Sequence, residues 1–133
     1  MLEIYCDGEE GGIGFVIYND GIKKISGYQY IGKNITNVQA EFTAAINSLC
    51  FALEYFPFNE AILYTSVLVI DSISGVVNIK EASLIPFYEL LIKIITLFKS
   101  VELKQNKNFD VLALSEMARN LKKSKVIQHG QIL

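Results

Sequence analysis

The chain has 133 residues, 51% of them apolar, and a formal charge of −2. That length suits one domain with a real core, and that apolar content excludes global disorder. The charge excludes a broad basic field for nucleic acid: Arg119 is the only arginine among 12 basic residues, and lysine grips phosphate as a point charge.

Residues 2–7 alternate loosely and end on Asp-Gly, which predicts a strand and then a turn. Gly11-Gly12 leads into a second strand over 13–18. Asn19-Asp20-Gly21 is a hairpin signal, and a third strand is predicted over 22–31. Thr36 is placed to cap a helix reaching about residue 54, in which Phe42, Ala45, Ile46, Leu49 and Leu53 recur at spacings of three and four. Pro57 stops it. A short strand follows over 61–64, then a helix from Ser66 to near Gly75 and a longer helix over 82–97. A last strand is predicted at Val101-Glu102-Leu103, and a last helix over 109–121.

Three strands followed by alternating units imply a mixed α/β fold, with helices packed on a five-stranded sheet. The domain is expected over 1–122, with a C-terminal tail over 123–133. In that tail a lysine-rich stretch precedes Val126-Ile127-Gln128. It reads as a solvated helix end, a phosphate contact or an edge strand. Cys6 and Cys50 are too few for a disulfide framework and are expected as buried thiols. The apolar runs 61–77 and 84–98 are broken by polar residues, Asp71, Glu89 and Lys93 among them. Neither gives the roughly 20 residues of a membrane span. Without an apolar leader, a soluble cytoplasmic protein is expected.

Four stretches carry candidate chemistry: Ile4-Tyr5-Cys6-Asp7-Gly8, Thr36-Asn37-Val38-Gln39-Ala40-Glu41, Tyr64-Thr65-Ser66-Val67-Leu68-Val69-Ile70, and Asn106-Lys107-Asn108-Phe109-Asp110. Each also has a purely structural reading. Asp-Gly marks a turn, Thr36 caps a helix, and Glu41 and Asp110 suit the first turns of helices. Taken together and in order, the four stretches resemble ribonuclease HI of the archaeal type, over residues 2–121.

The resemblance implies a ribonuclease H-like fold and a site where carboxylates hold two Mg²⁺ or Mn²⁺ ions. Such ions clamp the attacking and leaving oxygens of a phosphodiester, and they take hard oxygen ligands. Asp7, Glu41 and Asp110 match three of the family's four carboxylates and would be the catalytic metal ligands. Thr36 and Asn37 match residues that contact the nucleic-acid backbone and minor groove. Thr65 stands where the family has its remaining aspartate, and Val38 replaces a minor-groove asparagine. Asp71, six residues past Thr65, projects from another helical face. Glu9 and Glu10 follow Asp7 closely enough to turn inward. His129, the only histidine, is expected at the surface.

Two readings follow. In the first, Thr65, Val38 and a short approach to Asp110 define a catalytically weakened or inactive module that binds nucleic acid or a protein partner, a second copy of itself included. In the second, Asp7, Glu41 and Asp110 suffice for a metal-dependent endonuclease acting on the RNA strand of RNA–DNA hybrids.

Overall fold

The computed structural model describes residues 1–130. Its sheet is built from β1 (Leu2–Glu9), β2 (Gly12–Asn19), β3 (Ile22–Tyr30), β4 (Glu60–Thr65), β5 (Ser100–Gln105) and β6 (Lys125–Gln128). The strand order is β5-β4-β1-β2-β3-β6. Strands β5, β4 and β1 run parallel, and β1, β2, β3 and β6 pair antiparallel. The helices are α1 (Asn37–Tyr55), α2 (Val67–Ile73), α3 (Ile85–Ile95) and α4 (Phe109–Leu121).

Strand alternation divides the sheet into two faces. Leu2, Ile4 and Cys6 of β1, Ile13, Phe15 and Ile17 of β2, and Leu63 of β4 point to one side. There they meet Phe42 and Leu49 of α1, Leu91 and Ile94 of α3, and Val69 of α2 in one core. Phe15 stacks on Phe51 of α1 at 4.8 Å. Helix α4 lies on the opposite face, against β1, β2 and β3. It comes close because β2 offers glycine there: a Cβ on Gly14 would stand 2.6 Å from the Leu114 Cβ and 2.7 Å from the Val111 carbonyl. No helix among the described residues is long and apolar enough to cross a membrane.

The predicted order of elements is found, with three corrections. The sheet has six strands rather than five, because Lys125–Gln128 pairs along the outer edge of β3. A four-residue strand with no burial pattern is set by that edge rather than by its own side chains. The helix expected over 82–97 is a 3-10 turn at Ala82–Leu84 followed by α3, whose first turn takes Pro86 without losing a needed N–H. Cys6 is buried as expected, but Cys50 is exposed on the outer side of α1, and both are free thiols. Residues 131–133 of the expected tail lie outside the described residues.

Candidate functional site

Parallel β1 and β4 lie side by side at the centre of the sheet; β4 ends at Thr65 while β1 runs on to Glu9, which opens a crevice at the carboxyl end of β4. A cavity of about 220 Å³ sits there, lined by Asp7, Glu41, Thr65, Ser66, Asn106 and Leu112, among others. Asp7 comes from the end of β1. Glu41 comes from the first turns of α1, whose N-cap Thr36 forms a reciprocal capping box with Gln39. Helix α1 approaches β1 over Gly8, where a side chain would collide with the Ala40 carbonyl. The glycine of the Asp-Gly pair is therefore what lets Glu41 stand beside Asp7.

Each cavity carboxylate has a serine. Ser115 of α4 is fully buried, and its hydroxyl lies 2.5 Å from Asp7 Oδ2 and 3.3 Å from Glu9 Oε1. It is also 2.8 Å from the Leu112 carbonyl. One hydroxyl hydrogen serves one acceptor at a time, and the short distance to an ionisable oxygen makes Asp7 the partner. Ser66 donates to Glu41 Oε2 at 3.0 Å while its oxygen caps α2 by accepting from the Val69 N–H. Arg119 holds Glu9 at 3.3 Å. Glu9 is thus turned toward α4, where it shares the Ser115 hydroxyl with Asp7.

Burial is the largest influence on these acids. It pushes the Asp7 carboxyl above its ordinary range; the Ser115 bond opposes the shift and Glu116 adds to it. Burial likewise raises Glu41, against the Ser66 bond and with the help of Asp7. Glu9 is raised by burial despite Arg119 and Ser115.

Asn106 joins the pieces. Its backbone N–H reaches the Thr65 carbonyl at 2.8 Å, and its Nδ2 reaches the Cys6 carbonyl at 3.1 Å. Its Oδ1 accepts from the Asn108 N–H, and Asn108 then caps α4. The sequence pattern singled out the Asn106 stretch for its carboxylate. In the structure its amide side chain ties β1, β4 and the entry to α4 together.

The sequence-predicted residues divide. Asp7, Glu41 and Thr65 share the cavity. Thr65 is 1% exposed, and its hydroxyl neighbours the Cys6 thiol, which burial pushes up to about 12. Asp110 is exposed in the first turn of α4 and does not line the cavity; Leu112 does. Thr36 and Asn37 also lie outside it: Asn37 Oδ1 accepts from the Glu10 N–H at 2.7 Å. Neither Asp71 nor Glu10 lines it. Ser115 and Arg119 were not legible as site residues, since no local pattern marks a serine that meets an aspartate 108 positions away.

A two-ion centre needs several carboxylates converging on a few ångströms. The cavity gathers two, both already bonded to serine, and no group of three His, Cys, Asp or Glu among the described residues is arranged to hold a metal.

This geometry belongs to a known class of folds. The chain is similar to ribonuclease H1 from the halophilic archaeon Halobacterium salinarum NRC-1, with 23% identity, a TM-score of 0.79, and coverage of 90% of this chain and 97% of that one. It is similar to LC11-RNase H1, solved in complex with an RNA/DNA hybrid, at 25% identity and TM-score 0.79, covering 92% and 99%. An N-terminal RNase H domain from Mycobacterium tuberculosis matches at 21% identity and TM-score 0.78, covering 90% and 94%. No protein-family model matches the chain. No curated protein matches it either. The chain has a ribonuclease H-like fold.

Proposed function

We propose that this chain is a ribonuclease H-like module that binds nucleic acid and has lost most or all of the hydrolytic activity of the fold. One observation carries the reading: the cavity at the ends of β1 and β4 gathers Asp7 and Glu41 around a buried Thr65, and leaves Asp110 outside. Ser115 and Ser66 each bond one oxygen of the two acids. They hold the carboxylates in fixed orientations without offering a centre that activates water.

Binding has separate support. The fold is that of LC11-RNase H1, a protein solved on an RNA/DNA hybrid. Beside the cavity, a cleft of about 410 Å³ is lined by Glu10, Lys33, Arg119 and Lys122, among others. At its margin Thr36 and Asn37 use their side-chain oxygens as acceptors. The Thr36 hydroxyl hydrogen and the Asn37 Nδ2 group are then the donors they present to a phosphate oxygen. The cations are few, so the grip is modest and falls steeply with salt.

The test pairs binding with cleavage. Fluorescence anisotropy with a labelled RNA–DNA hybrid at low ionic strength is expected to show saturable binding. A gel assay with excess protein, in Mg²⁺ and in Mn²⁺, is expected to leave that hybrid intact. Cleavage that disappears in Asp7→Asn would establish an active nuclease, and absence of binding would remove the nucleic-acid role.

A further inference from the structure

The second face of the sheet is only half covered. Helix α4 packs on β1, β2 and β3 near Gly12 and Gly14 and leaves the side toward β4 and β5 open. The register places a distinct set of side chains there. Tyr5 is opposite Tyr64, and Glu3 is opposite both Ile62 and Tyr18. Ile62 is in turn opposite Glu102, and Tyr64 opposite Lys104. Glu60 precedes Ile62 by two residues and shares its face.

The three tyrosines form one half-buried group. Tyr5 and Tyr64 stack at 4.2 Å with an interplanar angle of 3°, and Tyr18 meets Tyr5 edge-on at 5.8 Å. Ile62 continues the apolar surface along β4. Glu3 and Glu102 flank Ile62 on either side, and Glu60 lies beyond it along the strand. The Lys104 ammonium sits 3.9 Å from Glu102. An aromatic and aliphatic centre is thus rimmed by three carboxylates and one ammonium, which leaves the rim negative.

We infer that this open face docks a partner protein through an extended segment carrying lysine or arginine at alternate positions. Charge complementarity selects the occupant. Phosphates would meet Glu3, Glu60 and Glu102 at close range, so a nucleic-acid strand is repelled where a cationic segment is drawn in. The spacing agrees. Alternate side chains of an extended segment are about 6.6–7 Å apart, which is also the interval between Glu60 and Ile62 along β4. Lysine and arginine lay their methylene stems on apolar surface while their heads reach acids at the rim. Tyrosines supply rigid contact area with little entropy to lose. Asp7 follows Tyr5 by two residues on the same side of β1, so this face ends where the cavity begins. The inference stands on Glu3, Glu60 and Glu102, none of which lines the cavity, and does not rest on the nucleic-acid reading.

The experiment uses a fluorescein-labelled ten-residue peptide alternating arginine and threonine, titrated with the full chain at low ionic strength. Saturable binding is expected. It should weaken about tenfold in the triple variant Glu3→Gln, Glu60→Gln, Glu102→Gln, with the fold checked by circular dichroism. Amide shifts in NMR spectra should move for Glu3, Ile62, Tyr64 and Glu102 and stay in place for Glu41 and Ser66. The inference is overturned if the wild type does not bind the peptide. It is equally overturned if the triple variant binds as well as the wild type, if the shifts centre on Glu41 and Ser66, or if single-stranded DNA added without the peptide moves the Ile62 and Glu102 amides.

Discussion

Ser115→Ala removes one buried hydroxyl and tests whether it stabilises the Asp7 charge. The hydroxyl lies 2.5 Å from Asp7 Oδ2 and is fully buried, so no solvent replaces it directly. A hydrogen bond to a charged group is worth about 1.5–3 kcal/mol. An unfolding entropy of about 2.1 cal/mol/K per residue, over 133 residues, gives roughly 280 cal/mol/K. Ser115→Ala should therefore lower Tm by about 5–11 °C at neutral pH.

The pH dependence identifies the partner. Asp7 is raised in the folded state, so protonation favours folding: this acid's contribution increases as pH falls through its folded value and declines as pH rises. The Ser115 bond favours the ionised form and opposes that decline. Losing it raises Asp7 further, so the cost of Ser115→Ala is full at neutral pH and vanishes below the ordinary carboxylate range. There alanine's better helix propensity leaves the variant level with the wild type or up to about 0.5 kcal/mol more stable. The assay is thermal unfolding by circular dichroism between pH 4 and 8, in the wild-type and Asp7→Asn backgrounds. A cost that is the same across the range, or unchanged beside Asp7→Asn, refutes the charge-stabilising role.

Three further outcomes are expected. Gly8→Ala drives a methyl group into the Ala40 carbonyl and should cost about 3 kcal/mol or more, read as a lowered urea midpoint. Thr65→Asp introduces a third carboxylate at a position 1% exposed, beside the Cys6 thiol. It should destabilise the fold at neutral pH by several kcal/mol and leave hybrid cleavage absent, because Asp110 stays outside the cavity; recovery of both Tm and cleavage in Mn²⁺ would contradict the proposed loss of activity. A thiol reagent should modify the exposed Cys50 in the native protein and Cys6 only on unfolding, because Cys6 is buried and its thiol is pushed up to about 12.

Much of this protein is written locally in its chain. Hydrophobic spacing after Thr36, the Asn19-Asp20-Gly21 hairpin and the Asn108 cap each act over a few residues. The order of strands and helices was readable from the first two, and the ribonuclease H-like fold from the resemblance of the four motif stretches; the Asn108 cap appeared only in the structure. Asp7, Glu41 and Thr65 could be placed at one site because they sit at the ends of elements whose neighbours the fold dictates.

Tertiary structure decided the rest. Ser115 meets Asp7 across 108 positions, and Asn106 meets Cys6 across 100. No periodicity encodes such pairs; the first follows from the close approach of α4 to β2 over Gly12 and Gly14, and the second from the turn out of β5 past the end of β4. Asp110 lies in the matching motif, yet its position on the first turn of α4 leaves it exposed while Leu112 faces the cavity. The sixth strand has no burial signal of its own and exists because β3 presents an open edge. The carboxylate-rimmed tyrosine face comes from four separate strands brought into register. Motifs specify which residues are available, but convergence depends on long-range packing that a local pattern does not contain.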